Sequence, residues 1–246
     1  MKRILLAPVS EDAHKYSRGV VAICAGSKKY PGAALLAVGG ARRGGAGYVQ
    51  FISSDEALTS LVITQYPDVV PIVGAKELKA EVLLIGSGEP KPIAIPGNVS
   101  LVLDGSSISL AKKRKNPITV LTPHEGEVKY LGVLRENRIE TARSLAKQNG
   151  CIVVLKGPQT VIAEPNGRFI LDKRGGKELA TAGSGDILAG LIASMLASWK
   201  PNNLESALEV VAKAVEFHSR AGKIARKSAN PLVATDLLSA LPHVNK

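Results

Sequence analysis

The sequence predicts an α/β domain of three layers, in which helices cover both faces of a mostly parallel central sheet. Short β-branched runs alternate with helical patterns as far as Gly157, and this alternation is typical of βαβ units. Several runs are apolar throughout, as expected of strands that are buried on both faces. Only 4% of the residues are aromatic in a chain that is 45% hydrophobic, so small aliphatic side chains must do most of the packing.

The individual elements follow from these runs and from the helical spacing between them. The expected strands are 19–26, 48–53, 68–74, 81–86, 100–105, 118–123 and 151–157. The helix candidates between them are 31–45, 55–64, 105–113, 124–132 and 137–149.

The pattern changes after Gly157. Residues 160–172 are predicted to form a β-hairpin, with Asn166 and Gly167 as its tight turn. Three helices are then expected, at 184–199, 203–226 and 232–240. The sequence shows no internal repeat, low-complexity tract or Pro/Ser-rich linker, so we predict a single domain over residues 1–246.

The net charge of +11 is compatible with nucleic acid, an anionic surface or a phosphorylated small molecule as partner. The densest basic run is "AKKRK" at 111–115, for which a solvated face is favoured over a binding patch. No ladder of aromatic residues accompanies it, so binding of single-stranded nucleic acid has little support.

Cys24 and Cys151 are each flanked by apolar residues, so both are expected to be buried in strands, as in a protein of the reducing cytosol. The apolar stretch before Glu11 is too short for the core of a signal peptide. No segment reaches the roughly 20 apolar residues of a membrane span. We therefore expect a soluble, cytoplasmic protein.

One carboxylate stands out in "ATAGSGDILAGLIASMLASW" at 180–199, because Asp186 lies at the mouth of an apolar helix. Gly183 and Gly185 allow a close backbone approach, and the first turn of a helix favours an anion. One interpretation is structural: Ser184 caps the helix and Asp186 complements its dipole, worth about 0.3–1 kcal/mol. The other is catalytic: Asp186 takes a proton from a hydroxyl that attacks a phosphoryl group held at the helix end.

The common nucleotide motifs are absent from the sequence. There is no G-x-x-x-x-G-K-[ST] loop, and "GSGDILAG" has Leu188 where a third glycine of G-x-G-x-x-G would stand. The predicted strands are instead followed by "GSKKYPGA", "GSGEP", "DGSS", "TPHEGE" and "KGPQT". Loops at the carboxyl ends of parallel strands are where ligands bind, and these compositions suit a small anionic ligand.

Four segments together resemble one family. "GSGDILAG" is similar to the nucleotide-site motif of the ribokinase-like superfamily. "LTPHEGEVKYLG" at 121–132, "VVLKGPQTVIAEPNGR" at 153–168 and the glycine-rich region at 12–49 resemble the ADP/ATP-dependent NAD(P)H-hydrate dehydratases. The likeness extends from about His14 to Leu241, with the segments in the family's order and spacing.

The resemblance implies a ribokinase-like fold and a repair reaction. NADH and NADPH slowly take up water on the nicotinamide ring, and such an enzyme phosphorylates the new hydroxyl with ADP or ATP. Phosphate then leaves, since it is a good leaving group where hydroxide is a poor one. The implied cofactor is Mg²⁺, and the implied assembly is a homo-oligomer, with a tetramer as one candidate.

The resemblance also implies site residues by matching motif. Asp186 would be the base, and Gly185 would touch the nucleotide phosphates. The family's K-G-x-x-T nucleotide loop corresponds to Lys156, Gly157, Pro158, Gln159 and Thr160. The implied substrate-binding residues are Ala33, Gly88, His124 and Asp186. Glu127 is a candidate for ordering a Mg²⁺ ion.

Several of these residues have structural explanations that the sequence leaves open. Lys156 could be an ordinary surface lysine after a strand. His124 follows a proline at a predicted helix start, where a polar residue needs no function. Glu127 could be a partner of the helix dipole.

The chain departs from the family pattern on the substrate side. The family's G-P-G-L-G-type turn appears as "GSGEP": Gly88 matches, but Glu89 and Pro90 replace the end of the motif. The family's D-A-D-A-L-type segment appears as "DGSSISL", which keeps Asp104 and has Ser106 for the second acid. An acid such as Glu89 is unfavourable beside a pyrophosphate.

Other functions are compatible with the nucleotide side of the site. A ribokinase-like kinase for a vitamin precursor would keep Asp186 and the phosphate site but need another substrate side. A non-catalytic nucleotide binder would fit the altered "GSGEP" and "DGSS" segments. A nucleic-acid binder ranks last, because net charge alone supports it.

Overall fold

A computed structural model of the chain describes residues 5–113 and 116–244. Its sheet contains β1 (Val20–Cys24), β2 (Tyr48–Ile52), β3 (Val70–Ile72), β4 (Val82–Ile85), β5 (Ser100–Leu103), β6 (Thr119–Leu121), β7 (Ile152–Leu155), β8 (Thr160–Ala163) and β9 (Phe169–Asp172). The strand order is β3-β2-β1-β4-β5-β6-β7-β8-β9. The first seven strands pair in parallel, with registers such as Val21 opposite Val82, and β8 and β9 add an antiparallel hairpin. The predicted mostly parallel sheet is confirmed.

The helices are α1 (Pro31–Ala41), α2 (Glu56–Gln65), α3 (Arg138–Asn149), α4 (Ser184–Trp199), α5 (Leu204–Ala225) and α6 (Ala234–Ala240). Short 3-10 helices are Ala75–Glu77, Gly105–Lys113, Glu125–Tyr130, Lys177–Leu179 and Leu241–His243. Thus the helix candidates at 105–113 and 124–132 form 3-10 helices rather than α-helices. Each begins near a glycine, and the first also contains three serines, all of which disfavour an α-helix.

Two other expectations need correction. Helix α1 ends at Ala41 instead of residue 45, because a turn follows in which Gly45 has a φ of +99°. The hairpin turn has three residues, Pro165 to Gly167, rather than two. It is closed by a 3.0 Å hydrogen bond from the Glu164 N–H to the Arg168 carbonyl, with Gly167 at a φ of +96°.

Helices cover both faces of the sheet, which confirms the three layers. Alternate residues of β1 point to opposite faces: Val21 and Ile23 pack with α1, α2, α4 and α5, while Ala22 and Cys24 pack with α3 and the longer 3-10 helices. Helix α6 packs outside α4 and α5 in a third apolar cluster. The strands are therefore buried on both sides, as their apolar runs predict.

Both cysteines are buried, as predicted, and burial raises the pKa of the two thiols to about 12. The basic run at 111–115 lies largely outside the residues whose side chains are described. Within the described parts of the chain, every helix is too short or too polar to cross a membrane.

The order of the strands places a topological switch point between β1 and β4. The chain proceeds from β1 outward to β2 and β3, then crosses back so that β4 pairs with the other edge of β1. Connections that leave neighbouring strands in opposite directions open a crevice at their carboxyl ends. The loops after β1 and β4 flank this crevice.

Helices α1 and α4 touch through their backbones. A Cβ on Gly190 would lie 2.8 Å from the Ala41 nitrogen, and one on Gly40 would lie 3.0 Å from the Ile187 Cα. These two glycines let the helix axes approach more closely than side chains would allow.

Gly190→Ala should therefore destabilise the protein. The same exchange stabilises an unobstructed helix by about 1 kcal/mol, but here the methyl group meets backbone, and we expect the free energy of unfolding to fall by about 1–3 kcal/mol. Urea unfolding measures this. Gly32→Ala is the matched control, because no described atom lies within 4 Å of its added Cβ. Equal effects at the two positions would contradict the prediction.

Candidate active site

Helix α4 begins at the switch point and carries Asp186 in its first turn. Gly183 is the N-cap, with a φ of +89° that favours glycine. Ser184 is therefore the first helical residue, and its side chain is buried, so the interpretation of Ser184 as the cap is wrong. The left-handed turn at Gly183 brings the helix end, with its partial positive charge, to the carboxyl edge of the sheet.

The Asp186 carboxylate is held from the loop after β4, where the Ser87 hydroxyl donates a hydrogen bond to its Oδ1. The pKa of Asp186 is raised to about 6. Burial is the main cause; the hydrogen bond from Ser87 opposes it, the charge of Asp104 adds to it, and that of Lys156 opposes it. A carboxylate with this pKa can accept a proton near neutral pH.

Lys156 is the buried cation of the site. Its Nζ lies 2.6 Å from the Asp104 Oδ1, and the Thr122 hydroxyl donates to the same oxygen at 2.6 Å. Burial acts to lower the pKa of Lys156, but the charges of Asp104, Glu127 and Asp186 outweigh it and raise that pKa. Lys156 therefore stays protonated, and the interpretation as an ordinary surface lysine does not fit.

A cavity of about 380 Å³ opens beside Lys156 and the start of α4. Four residues of the predicted nucleotide loop line this cavity, namely Lys156, Gly157, Pro158 and Thr160. Gly185 lines it as well. Gln159 does not line this cavity, and its carbonyl accepts a 3.4 Å hydrogen bond from Arg138. The cavity joins a cation, a hydroxyl and a helix N-terminus, which together suit phosphate groups.

His124 lies next to Lys156, since the two residues form a parallel bridge beyond β6 and β7. It is the N-cap of the 3-10 helix that follows, and its Nδ1 accepts from the Gly126 N–H at 3.0 Å. The Glu127 carboxylate in turn accepts a 2.8 Å hydrogen bond from the His124 N–H. The two residues thus form a capping pair, and the exposed His124 ring also lines the cavity.

Among the described residues, no group of three or more His, Cys, Asp or Glu could hold a metal ion by itself. Mg²⁺ fits the site nonetheless, because it is commonly bound by one or two carboxylates, with phosphate oxygens and water completing its shell. Glu127 is the residue that would hold it. Its carboxylate lies near enough to Lys156 to raise the pKa of that lysine.

Ala33 and Gly88 meet at the start of α1. Gly88 has a φ of +82°, and a Cβ there would lie 2.8 Å from the Ala33 Cβ and 2.7 Å from the Gly26 Cα. The loops after β1 and β4 therefore touch at the start of α1. Two of the four residues predicted to bind substrate, Ala33 and Gly88, thus lie together, and Gly88 directly follows the Ser87 that contacts Asp186.

A second cavity, of about 480 Å³, adjoins this contact. Gly26, Lys28, Lys29 and Lys91 are among its lining residues, and so is Glu89. Glu89 carries its negative charge 3.8 Å from the Lys29 ammonium, so the acid is partly neutralised within the lining. Asp186 lines neither cavity: its neighbour Gly185 lines the first, and Glu89, two residues beyond Ser87, lines the second.

Sequence reasoning did not single out Ser87 or Thr122 as site residues, nor His218 of α5, and it placed Asp104 on the substrate side without giving it a role. His218 Nε2 lies 3.0 Å from the Ser184 carbonyl, and burial lowers its pKa to about 4, so the neutral ring donates to the start of α4. Asp104 had two sequence signals, its match to the family's D-A-D-A-L-type segment and its place directly after an apolar strand. For His218 no sequence signal exists, because it lies in the middle of a long helix.

The chain matches known proteins over almost its whole length. The family model for NAD(P)H-hydrate dehydratase matches residues 21–243. The ADP-dependent (S)-NAD(P)H-hydrate dehydratase of Bacillus subtilis is 34% identical over 269 aligned residues, which cover 99% of this chain and 95% of that protein. A crystal structure of the B. subtilis ADP/ATP-dependent NAD(P)H-hydrate dehydratase, co-crystallized with ATP/Mg²⁺, has a TM-score of 0.83 at 30% identity and covers 97% of this chain and 93% of that one.

A ribokinase-like superfamily protein from Enterococcus faecalis has a TM-score of 0.82 at 25% identity, covering 98% of this chain and 91% of that one. The fold and the site thus define a ribokinase-like protein. Within that superfamily, the chain belongs to the NAD(P)H-hydrate dehydratase family. It also matches bifunctional NAD(P)H-hydrate repair enzymes, of which it spans about half the length.

From the raised pKa of Asp186 we predict how the free energy of unfolding depends on pH. Because this pKa rises from its usual 3.8 to about 6, the folded state binds the proton more tightly than the unfolded state. The stability contributed by the group is therefore present below pH 4 and lost as pH rises to about 6. Asp186→Asn removes this loss, so we expect it to raise the free energy of unfolding by about 1–3 kcal/mol at pH 7.5 and to change it little at pH 4.

Urea unfolding at both pH values measures the difference. Asp68→Asn is the control, because Arg42 lowers the pKa of that carboxyl, and its removal should not stabilise the protein at either pH. A loss of stability in Asp186→Asn at pH 7.5 would show that burial does not disfavour the charged carboxylate.

Proposed function

We propose that the protein dehydrates hydrated NADH or NADPH with ADP or ATP as phosphoryl donor. The observation that carries this proposal is the placement of Asp186, a carboxylate with a pKa near 6, directly after Gly185, which lines the cavity beside Lys156. A base next to a phosphate site is what transfer of a phosphoryl group to a hydroxyl requires. Membership of the dehydratase family supports the choice of substrate.

In this proposal the nucleotide occupies the cavity beside α4. Its phosphates lie at Gly185 and the helix N-terminus, with Lys156 supplying positive charge and Thr160 a hydroxyl. The Lys156–Asp104 ion pair holds the ammonium in place, so the charge needs no rearrangement during transfer. Glu127 would hold Mg²⁺, which supplies further neutralisation of phosphate charge.

The hydrated dinucleotide occupies the cavity on the α1 side. Its nicotinamide end lies against Ala33 and Gly88, where the loops after β1 and β4 meet, and His124 contacts it from the nucleotide side. The lysines that line this cavity suit the phosphates of the remaining part of the molecule.

The chemistry has two steps. Asp186 takes the proton of the ring hydroxyl, whose oxygen forms a bond to the terminal phosphorus as the bond from that phosphorus to the donor breaks. The lone pair of the ring nitrogen then expels phosphate to give an iminium ion, and loss of a proton from the adjacent ring carbon restores the dihydropyridine. We also propose that the chain works as a homo-oligomer, a tetramer being one candidate, and light scattering of the purified protein tests this.

A turnover assay tests the function directly. Purified protein is mixed with hydrated NADH, Mg²⁺ and either ADP or ATP, and the return of NADH absorbance is followed. Recovery that requires nucleotide supports the proposal, and the faster nucleotide identifies the donor. A stable phosphorylated product would indicate a different kinase, and nucleotide binding without any turnover would indicate a non-catalytic binder.

Asp186→Asn should reduce turnover by at least about 10³-fold while leaving nucleotide affinity within about threefold of the parent. The amide cannot accept the hydroxyl proton, but the phosphate site beside it stays intact. Stopped-assay turnover and calorimetric titration with ADP measure the two quantities. Full activity in this variant would show that Asp186 is not the base.

Gly185→Ala tests the position of the phosphates. The new Cβ would lie 3.3 Å from the Lys156 Nζ, in the space where we place the donor phosphates. We expect the dissociation constant for ADP to rise about tenfold, with little change in stability, since alanine suits a helix. Gly32→Ala, on a helix outside the nucleotide cavity, should leave ADP binding unchanged; an unchanged affinity in Gly185→Ala would place the phosphates elsewhere.

A further inference from the structure

Ser87 connects the two sides of the site through one hydrogen bond. It follows β4 on the substrate side, and its hydroxyl donates to the Oδ1 of Asp186 on α4. In the turn pattern of the family, a proline stands between the two glycines that match Gly86 and Gly88, whereas this chain has a hydroxyl there. A proline side chain cannot donate a hydrogen bond.

The backbone around Ser87 is fixed from both sides. Its carbonyl accepts a 2.9 Å hydrogen bond from the Gly26 N–H after β1. On its other side, a Cβ at Gly105 would lie 2.9 Å from the Ser87 Cα, so the loop after β5 packs directly on it. Ser87 therefore has little freedom to move, and its hydroxyl presents a fixed donor to α4.

A carboxylate needs such a donor to hold one orientation. The terminal torsion of an aspartate side chain is broad and roughly two-fold, so it does not define which oxygen faces a substrate. A bond from Ser87 to Oδ1 fixes the plane of the group and leaves Oδ2 available. The hydroxyl that loses its proton then meets the same oxygen at each turnover.

We propose that Ser87 is a positioning residue for the reaction of this enzyme, holding Asp186 so that one carboxylate oxygen faces the substrate hydroxyl. The proposal rests on the proposed function for its kinetic consequence, while the contact itself is a property of the protein alone.

The hydrogen bond also affects the titration of Asp186. It favours the charged carboxylate and so lowers the pKa of Asp186 against the effect of burial. The charged groups that face Asp186 are Asp104, after β5, and Lys156, after β7, and Ser87→Ala leaves both in place. Loss of the hydroxyl should therefore raise the pKa of Asp186.

Ser87→Ala is the first test. We expect kcat to fall about tenfold at neutral pH, the KM for the nucleotide to stay within about twofold, and the acid limb of the kcat profile to move up by about one pH unit. Ser87→Thr keeps the hydroxyl and should restore most of the rate and the position of the limb. Ser87→Cys, with a weaker donor, should lie between them.

Ser107→Ala is the matched control. The Ser107 hydroxyl donates to the Gly86 carbonyl at 3.3 Å, in the same turn but away from Asp186. The Ser107→Ala exchange should leave the acid limb of the kcat profile in place, even if it loosens the turn. An equal movement of the limb in this control, or an unmoved limb and unchanged kcat in Ser87→Ala, would overturn the proposal.

A second measurement needs no turnover. The carboxyl carbon of Asp186, labelled with ¹³C and assigned with Asp186→Asn, is titrated by NMR in the parent and in Ser87→Ala. A higher pKa in the variant supports the contact, and an unchanged pKa contradicts it. If the parent fails to dehydrate hydrated NADH, the proposed function fails, while this titration still decides whether Ser87 controls Asp186.

Discussion

The ion pair between Lys156 and Asp104 lies at the centre of the site, with side chains 17% and 3% exposed. Ions removed from water cost several kcal/mol each unless they are paired and hydrogen-bonded, and Thr122 completes this pair. Glu127 and Asp186 add two further carboxylates near the one ammonium. The excess of negative charge keeps Lys156 protonated, while burial makes Asp186 the acid that titrates near neutral pH. One cation and one titratable base are the two groups that phosphoryl transfer to a hydroxyl needs.

The topology explains why these residues meet. Parallel strands deliver their carboxyl ends to one edge of the sheet, and the switch between β1 and β4 opens a crevice there. The loops after β1 and β4 supply Gly26 and Ser87, and those after β5 and β7 supply Asp104 and Lys156. Helix α4 follows the last strand in the chain, and its first turn places Asp186 beside these loops. Asp104 and Lys156 directly follow buried strands, Ser87 comes two residues after one, and Asp186 lies in a helix, so the core fixes the position of each group.

The sequence predicted the strands, the layers and the start of α4, because apolar runs and glycine turns are local signals. It could not predict contacts between distant residues: Ser87 and Asp186 are 99 positions apart, and Lys156 and Asp104 are 52 apart. The error at Ser184 arose because a serine before an apolar run looks like a cap, whereas the left-handed turn falls at Gly183. Motif matching grouped Gln159 with its neighbours, but alternate residues of a loop can face different surfaces.

The glycine contact between α1 and α4 has a mechanical meaning. Helix α4 begins at the cavity beside Lys156, and α1 begins two residues after Lys29, which lines the other cavity. The two helices touch where Gly40 and Gly190 bring backbone against backbone. Peptide units cannot be exchanged or repacked as side chains can, so main-chain geometry sets the distance between the two helix starts. Side chains elsewhere in the core can therefore be substituted without changing that distance.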